Sequence, residues 1–151
     1  MQETKSKLFS VAKYIIDKCG EMPAMKLQKL VYYSQAWNLA WDYKPIFKEN
    51  FQAWANGPVC PELYQFYVGK FELSKNDFND IKSPELTKEE KENIDIVLKD
   101  YADKEPIYLS YLTHEEQPWR LARGNTPPGM ECNNIISQDS IQQYYNGLIS
   151  Q

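Results

Sequence analysis

A chain of 151 residues with 42% hydrophobic content is long enough for one domain with a core of its own, needing neither disulfides nor metal. A formal net charge of −4, from 21 acidic and 17 basic residues, argues against nucleic-acid binding, which requires a clustered basic surface for phosphates. No apolar run approaches the ~20 residues of a membrane span, so no membrane insertion is expected.

The first helix is predicted from Thr4 to Lys18, with Leu8, Val11, Ala12, Ile15, Ile16 and Cys19 as its buried stripe and Gly20 as its cap. No apolar signal segment precedes it: Met1-Gln2-Glu3-Thr4 leads straight into the amphipathic pattern. The second helix follows Glu21-Met22-Pro23 and runs to about Tyr43. Leu27, Leu30, Val31, Ser34, Trp37, Asn38 and Trp41 share one face at helical spacing. Lys26 and Lys29, with Lys13 and Lys18 nearby, read as a solvated face diluted by acids. Lys44-Pro45 ends the helix, and Phe51 to Trp54 reads as a short strand paired with a segment that its own pattern does not identify. Asn56-Gly57-Pro58 forces a turn, and Pro61 opens a helix carrying Leu63, Phe66 and Tyr67.

From Lys70 to Pro84 the chain is polar and reads as a surface loop with at most one short helical turn. Thr87-x-x-Glu90 has capping-box form and starts a helix with Ile94, Val97, Leu98 and Tyr101 on one side. Glu105-Pro106 and Gln117-Pro118 open two shorter helices, the first through about Leu112 and the second closed by Gly124. Asn125 to Asn134 reads as a loop, and Ser137 caps a last helix with Ile141, Tyr144, Tyr145 and Leu148 on one face. The expected fold is a mainly α, compact single domain over residues 1–151, with six to seven helices and at most one small β-hairpin or sheet.

The residues that could carry chemistry are few. His114 is the single histidine, and His114-Glu115 lacks the second histidine that a zincin helix places one turn later, where Pro118 stands. Cys19, Cys60 and Cys132 are odd in number and widely spaced, which suits a reducing cytosol and not a disulfide or zinc framework. Cys60 at a helix start, with His114 as base, is a conceivable nucleophile. The simpler reading is a small apolar residue behind a turn. None of the six glycines is spaced as Gly-x-Gly, and Glu89-Glu90 reads as solvated surface. The chain is expected to be no enzyme and to carry no cofactor or metal. His114 sits between two short helices, where it can hydrogen-bond open backbone groups or make a polar contact with a partner. Trp119 reads as a core anchor for that block, while Trp37 and Trp54 suit core or interface. The aromatic share of 14%, with 11 tyrosines and 4 tryptophans, suits a protein-binding face.

Several blocks occur in order: Lys26-Leu27-Gln28-Lys29-Leu30, Tyr32-Tyr33, Gln35-Ala36-Trp37, Pro45-Ile46-Phe47, Ala53-Trp54, Gly57-Pro58-Val59, Pro61-x-x-Tyr64, and Thr113-His114-Glu115 with Pro118-Trp119. In these the chain, from about Leu8 to Leu148, closely resembles the Panacea domain, also called the SocA-like antitoxin domain, of bacteria and their phages. Asn38 stands where relatives often carry histidine, and Asn56 where an aromatic often precedes Gly-Pro. The resemblance implies a cytoplasmic antitoxin that binds and neutralises a cognate protein toxin encoded nearby. One branch of the family instead delivers its toxin to a ClpXP-type protease. Some relatives travel on phages and other mobile elements, so a phage protein binding a host factor is a further possibility. The family implies no catalytic residue. Partner affinity is expected to concentrate in aromatic anchors, with Trp54, Tyr64, His114 and Trp119 as candidates and Gln28 and Gln35 adding polar contacts.

Overall fold

The structure, a computed structural model, describes residues 4–149. The start of the chain at Met1–Glu3, read as leading into the first helix, therefore lies outside the described residues, as do Ser150 and Gln151. In chain order the elements are α1 (Lys7–Cys19), β1 (Met22–Pro23), α2 (Ala24–Asp42), β2 (Phe51–Trp54), β3 (Gly57–Val59), α3 (Pro61–Tyr67), β4 (Glu72–Leu73), α4 (Lys75–Phe78), α5 (Lys88–Tyr101), α6 (Pro106–Glu115), α7 (Gln117–Arg123), β5 (Ile135–Ile136) and α8 (Gln138–Ile149). The fold is mainly α, but the described residues hold eight helices, not six to seven, and two small sheets, not one.

The eighth helix is the single turn α4, the one short helical turn that the polar stretch from Lys70 to Pro84 allows. Ser74 and Asp77 hold it by reciprocal capping, with the Ser74 N–H donating to Asp77 Oδ2 at 2.8 Å. The second sheet is the antiparallel pair of β1 with β4. The first helix also starts later than Thr4, because the Ser6 hydroxyl accepts the Leu8 N–H at 3.3 Å and fixes the N-terminus there. Cys19 is exposed rather than part of the α1 stripe, since the chain from Asp17 to Glu21 faces solvent.

The central element is α2. It does not have the amphipathic character its lettering suggests: every residue from Leu27 to Ala36 is buried, polar ones included. The reason is its position, with α1, α5, α6, α8 and β3 packed around it. Lys29 is thus 1% exposed, against the reading of a solvated lysine face. The polar side chains of α2 act as internal clips instead. Gln28 accepts the Cys60 N–H at 2.9 Å and donates to the Cys60 carbonyl at 3.1 Å. Gln35 accepts the Ile46 N–H at 2.8 Å and donates to the Phe47 carbonyl at 2.7 Å, which ties the loop after α2 back onto the helix. Asn38 donates to the Lys44 carbonyl at 2.9 Å and accepts from Asn93 at 2.8 Å.

Gln35→Ala would leave the buried Ile46 N–H and Phe47 carbonyl without partners. We expect a loss of about 2–3 kcal/mol in unfolding free energy, read as a lower denaturant midpoint at constant m-value.

The two best-signalled termini form as their residues predict. At α5, Glu90 N–H donates to Thr87 Oγ1 at 3.1 Å and Thr87 N–H to Glu90 Oε1 at 2.8 Å. Glu90 is buried, contrary to its reading as solvated surface, because its carboxylate also receives the Lys7 ammonium of α1 at 2.7 Å. At α8, the Ser140 N–H donates to Ser137 Oγ at 3.1 Å. Behind α2, Glu116 Oε1 accepts the hydroxyls of Tyr33 and Tyr145, each at 2.7 Å. Burial raises the Glu116 carboxyl pKa and the two hydroxyls oppose that rise, so the residue joins α2 to α8 as a hydrogen-bonded polar knot.

Candidate functional site

β2 is the middle strand of an antiparallel sheet ordered β3-β2-β5, with Ala53 opposite Pro58, Trp54 opposite Gly57, and Phe51 opposite Ile136. Ala55 and Asn56 make the tight turn. Gly57 follows with φ of +118°, a conformation that side chains rarely adopt. Its neighbours explain the glycine further: an added Cβ would lie 2.6 Å from Lys29 Cε and 2.9 Å from Thr113 Oγ1. The hairpin therefore sits directly upon α2 and α6, and the Lys29 amine donates to the Pro58 carbonyl at 3.2 Å.

Beside this hairpin opens a cleft of about 820 Å³. Met25, Gln28 and Lys29 of α2 line it, with Trp54, Asn56 and Val59 of the hairpin region, Tyr64 and Tyr67 of α3, Lys70 and Phe71 beyond α3, and Glu131 to Asn133. Its wall is aromatic. The Trp54 and Tyr64 rings meet edge to face at 5.0 Å, and Tyr64 meets Tyr67 at 5.4 Å. Trp54 is held by its indole N–H, which donates to Gln52 Oε1 at 2.8 Å. Phe71 at the lip is 76% exposed, an unusual position for a phenylalanine.

Two buried cations lie near the hairpin. Lys29 has no carboxylate within ion-pair distance among the described residues, and burial lowers its pKa to about 7. Arg123 of α7 is 4% exposed and donates only to carbonyls, those of Ala53 at 3.0 Å, Pro127 at 2.9 Å and Met130 at 2.7 Å. His114 stacks on Trp119 with ring centroids 4.0 Å apart. Its Nε2 is enclosed without a hydrogen-bond partner among the described residues. Burial holds its pKa below the ordinary value, with the charges of Lys29 and Arg123 adding to the effect and a backbone hydrogen bond with Ala55 opposing it. The backbone that His114 meets is thus the hairpin turn.

Of the residues singled out from the sequence, the structure brings Gln28, Trp54 and Tyr64 together in the cleft. Gln35 lies deeper along α2, with both amide ends engaged internally. Trp119 is 9% exposed and supports the hairpin from within, its indole N–H donating to the Trp54 carbonyl at 2.9 Å. Trp37 is half-buried and donates to the Tyr101 hydroxyl at 3.0 Å. Sequence reasoning missed Met25, Lys29, Tyr67 and Phe71. For Lys29 a signal existed: Leu27, Leu30, Val31, Tyr32 and Tyr33 leave its helix little surface to solvate. Phe71 lies in a polar stretch without periodicity and carried no signal.

Cys60 is fully buried, and burial pushes its thiol up to about 12, well beyond what the helix start could offset. Among the described residues no three His, Cys, Asp or Glu side chains cluster as metal ligands, and no helix is long and apolar enough to cross a membrane.

Comparison with known proteins gives one family. A family profile described as "Antitoxin SocA-like, Panacea domain" matches residues 27–120. No curated protein and no solved structure matches significantly. The matched span starts at Leu27 beside the cleft floor, takes in the whole hairpin and α3, and ends just after Trp119, which braces the hairpin. By that match the chain belongs to the Panacea, SocA-like antitoxin family.

Proposed function

We propose that this protein is a cytoplasmic antitoxin that neutralises a protein toxin encoded nearby by binding it directly. Family membership supports the reading, and the observation that carries it is the cleft's aromatic wall, which lies within the matched span, with Phe71 exposed at its lip. An exposed phenylalanine beside half-buried Trp54 and Tyr64 gives a partner a few large rings to cover, the composition of binding hot spots. Trp54 and Tyr64 are the proposed contact residues. Gln28 shapes the floor, while Gln35, His114 and Trp119 hold the surface in place from inside. The protein acts by occupancy rather than by catalysis, without cofactor, metal or nucleic acid.

The test is growth of cells expressing the neighbouring reading frame, with and without this chain, followed by co-purification. Rescue with co-elution is the expected result. Rescue accompanied by loss of the neighbour's product instead of a complex would favour delivery to a ClpXP-type protease. A harmless neighbour would overturn the toxin assignment and leave a host factor as the partner to seek.

A further inference from the structure

We infer that the cleft receives an acidic segment of the protein partner, its carboxylate meeting Lys29 while an adjacent aromatic side chain packs against Trp54 and Tyr64. This rests on the binding reading above and names the chemistry of the partner.

The first argument is charge. An ammonium carries three donors, and Lys29 has one acceptor, the Pro58 carbonyl at 3.2 Å. The ion pairs among the described residues are Lys7–Glu90, Lys70–Asp77 and Lys104–Asp103, and none reaches it. An amine 1% exposed at the floor of an open cleft, with donor positions unused and no counter-charge, gains its ionic partner from an incoming carboxylate. The other titratable groups around it do not supply that charge. His114 on α6 feels Lys29 as a repelling neighbour. Tyr64 and Tyr67 on α3 present ring hydroxyls, Lys70 is engaged with Asp77, and Glu131 is exposed at the rim, where water screens it. Arg123 adds a second buried cation with carbonyl partners alone.

The second argument is shape. The edge-to-face pair of Trp54 and Tyr64 offers a ring-sized wall. The cleft's own lining is apolar and open to solvent at Phe71, 76% exposed, and Met25, 36% exposed, and Val68, next to Tyr67 in the chain, adds a side chain 55% exposed. A small ligand seated on Lys29 would leave those side chains in water, whereas a polypeptide segment crossing the lip covers them. The occupant is therefore a stretch of protein.

The inference is tested by selecting from a displayed library of random short peptides on the immobilised full-length chain. The expected winners place Asp or Glu within a few residues of Trp, Phe or Tyr. Their affinity should fall about tenfold when the acid is changed to its amide, and by a similar factor on Lys29→Met protein. Winners without an acid, an empty selection, or binding indifferent to the acid-to-amide change would overturn the proposal. The amide comparison uses the unaltered chain, so it decides even if Lys29→Met fails to fold. No toxin enters this experiment: failure here with growth rescue intact removes the cleft chemistry alone, and success here without rescue removes the toxin alone.

Discussion

Replacing Trp119 with alanine should lower the unfolding free energy by about 3–5 kcal/mol, the range for deleting a large buried aromatic side chain. Three contacts go at once. The ring stacks on His114 at 4.0 Å, lies 4.9 Å from the Arg123 guanidinium carbon, and donates its N–H to the Trp54 carbonyl at 2.9 Å. Chemical denaturation checks the size, and Trp119→Phe separates the terms. A phenyl ring keeps most of the stacking and loses the donor, so its loss should be nearer ~1–2 kcal/mol. If Trp119 acts from inside the hairpin, the fraction of Trp119→Phe that remains folded should bind the toxin with nearly unchanged affinity. A loss of affinity of a hundredfold or about 2.7 kcal/mol with stability intact would instead make it a direct contact.

How much of this could be read from the chain depended on how local each cause is. The capping pair Thr87 and Glu90, and the helix-opening Pro61, Pro106 and Pro118, act within a turn of themselves, and their helices form as the residues predict. The two-residue strands β1, β4 and β5 have no periodicity to read. They exist because distant segments meet, as Met22 meets Leu73 and Phe51 meets Ile136. The site divides in the same way. Trp54 and Tyr64 belong to recognisable blocks and do line one cleft. Gln28 and Gln35 are polar and so invite a contact reading, but their partners are internal groups more than ten residues away, the backbone of Cys60 and the Tyr67 hydroxyl for the first and the backbone of Ile46 and Phe47 for the second. The two departures from the family pattern also part company. Asn38 is fully buried and bonds to Lys44 and Asn93, so its change is a matter of packing. Asn56 stands exposed at the hairpin turn on the cleft, so its change alters the surface and not the core. Lys29 is the sharpest case, since a lysine next to Lys26 looks solvated until α2 is seen to be surrounded.

Lys29→Met should therefore change how stability depends on pH. Burial lowers the folded-state pKa of Lys29 from 10.5 to about 7, so between those values the unfolded chain holds a proton that the folded chain has released. Where the unfolded state binds more protons, stability rises with pH, by up to ~1.4 kcal/mol per pH unit. Below about 7 both states carry the proton and the penalty for burying the charge is felt in full. The methionine variant has no such term. Near neutral pH and below it should equal or exceed the parent in stability, even with the Pro58 carbonyl left unpaired, and the parent should gain on it by about 2–3 kcal/mol by pH ~9. Subtracting the two pH curves removes the other groups, including Tyr33 and Tyr145, whose raised pKa values act above the ordinary tyrosine value of 10.0. A flat difference would show that the amine keeps its proton in the fold, through water reaching the cleft floor. Bound partner should reverse the slope. A carboxylate placed against Lys29 favours the charged form, so complex formation at mildly alkaline pH should take up a proton that the free protein lacks, measurable as a buffer-dependent heat of binding.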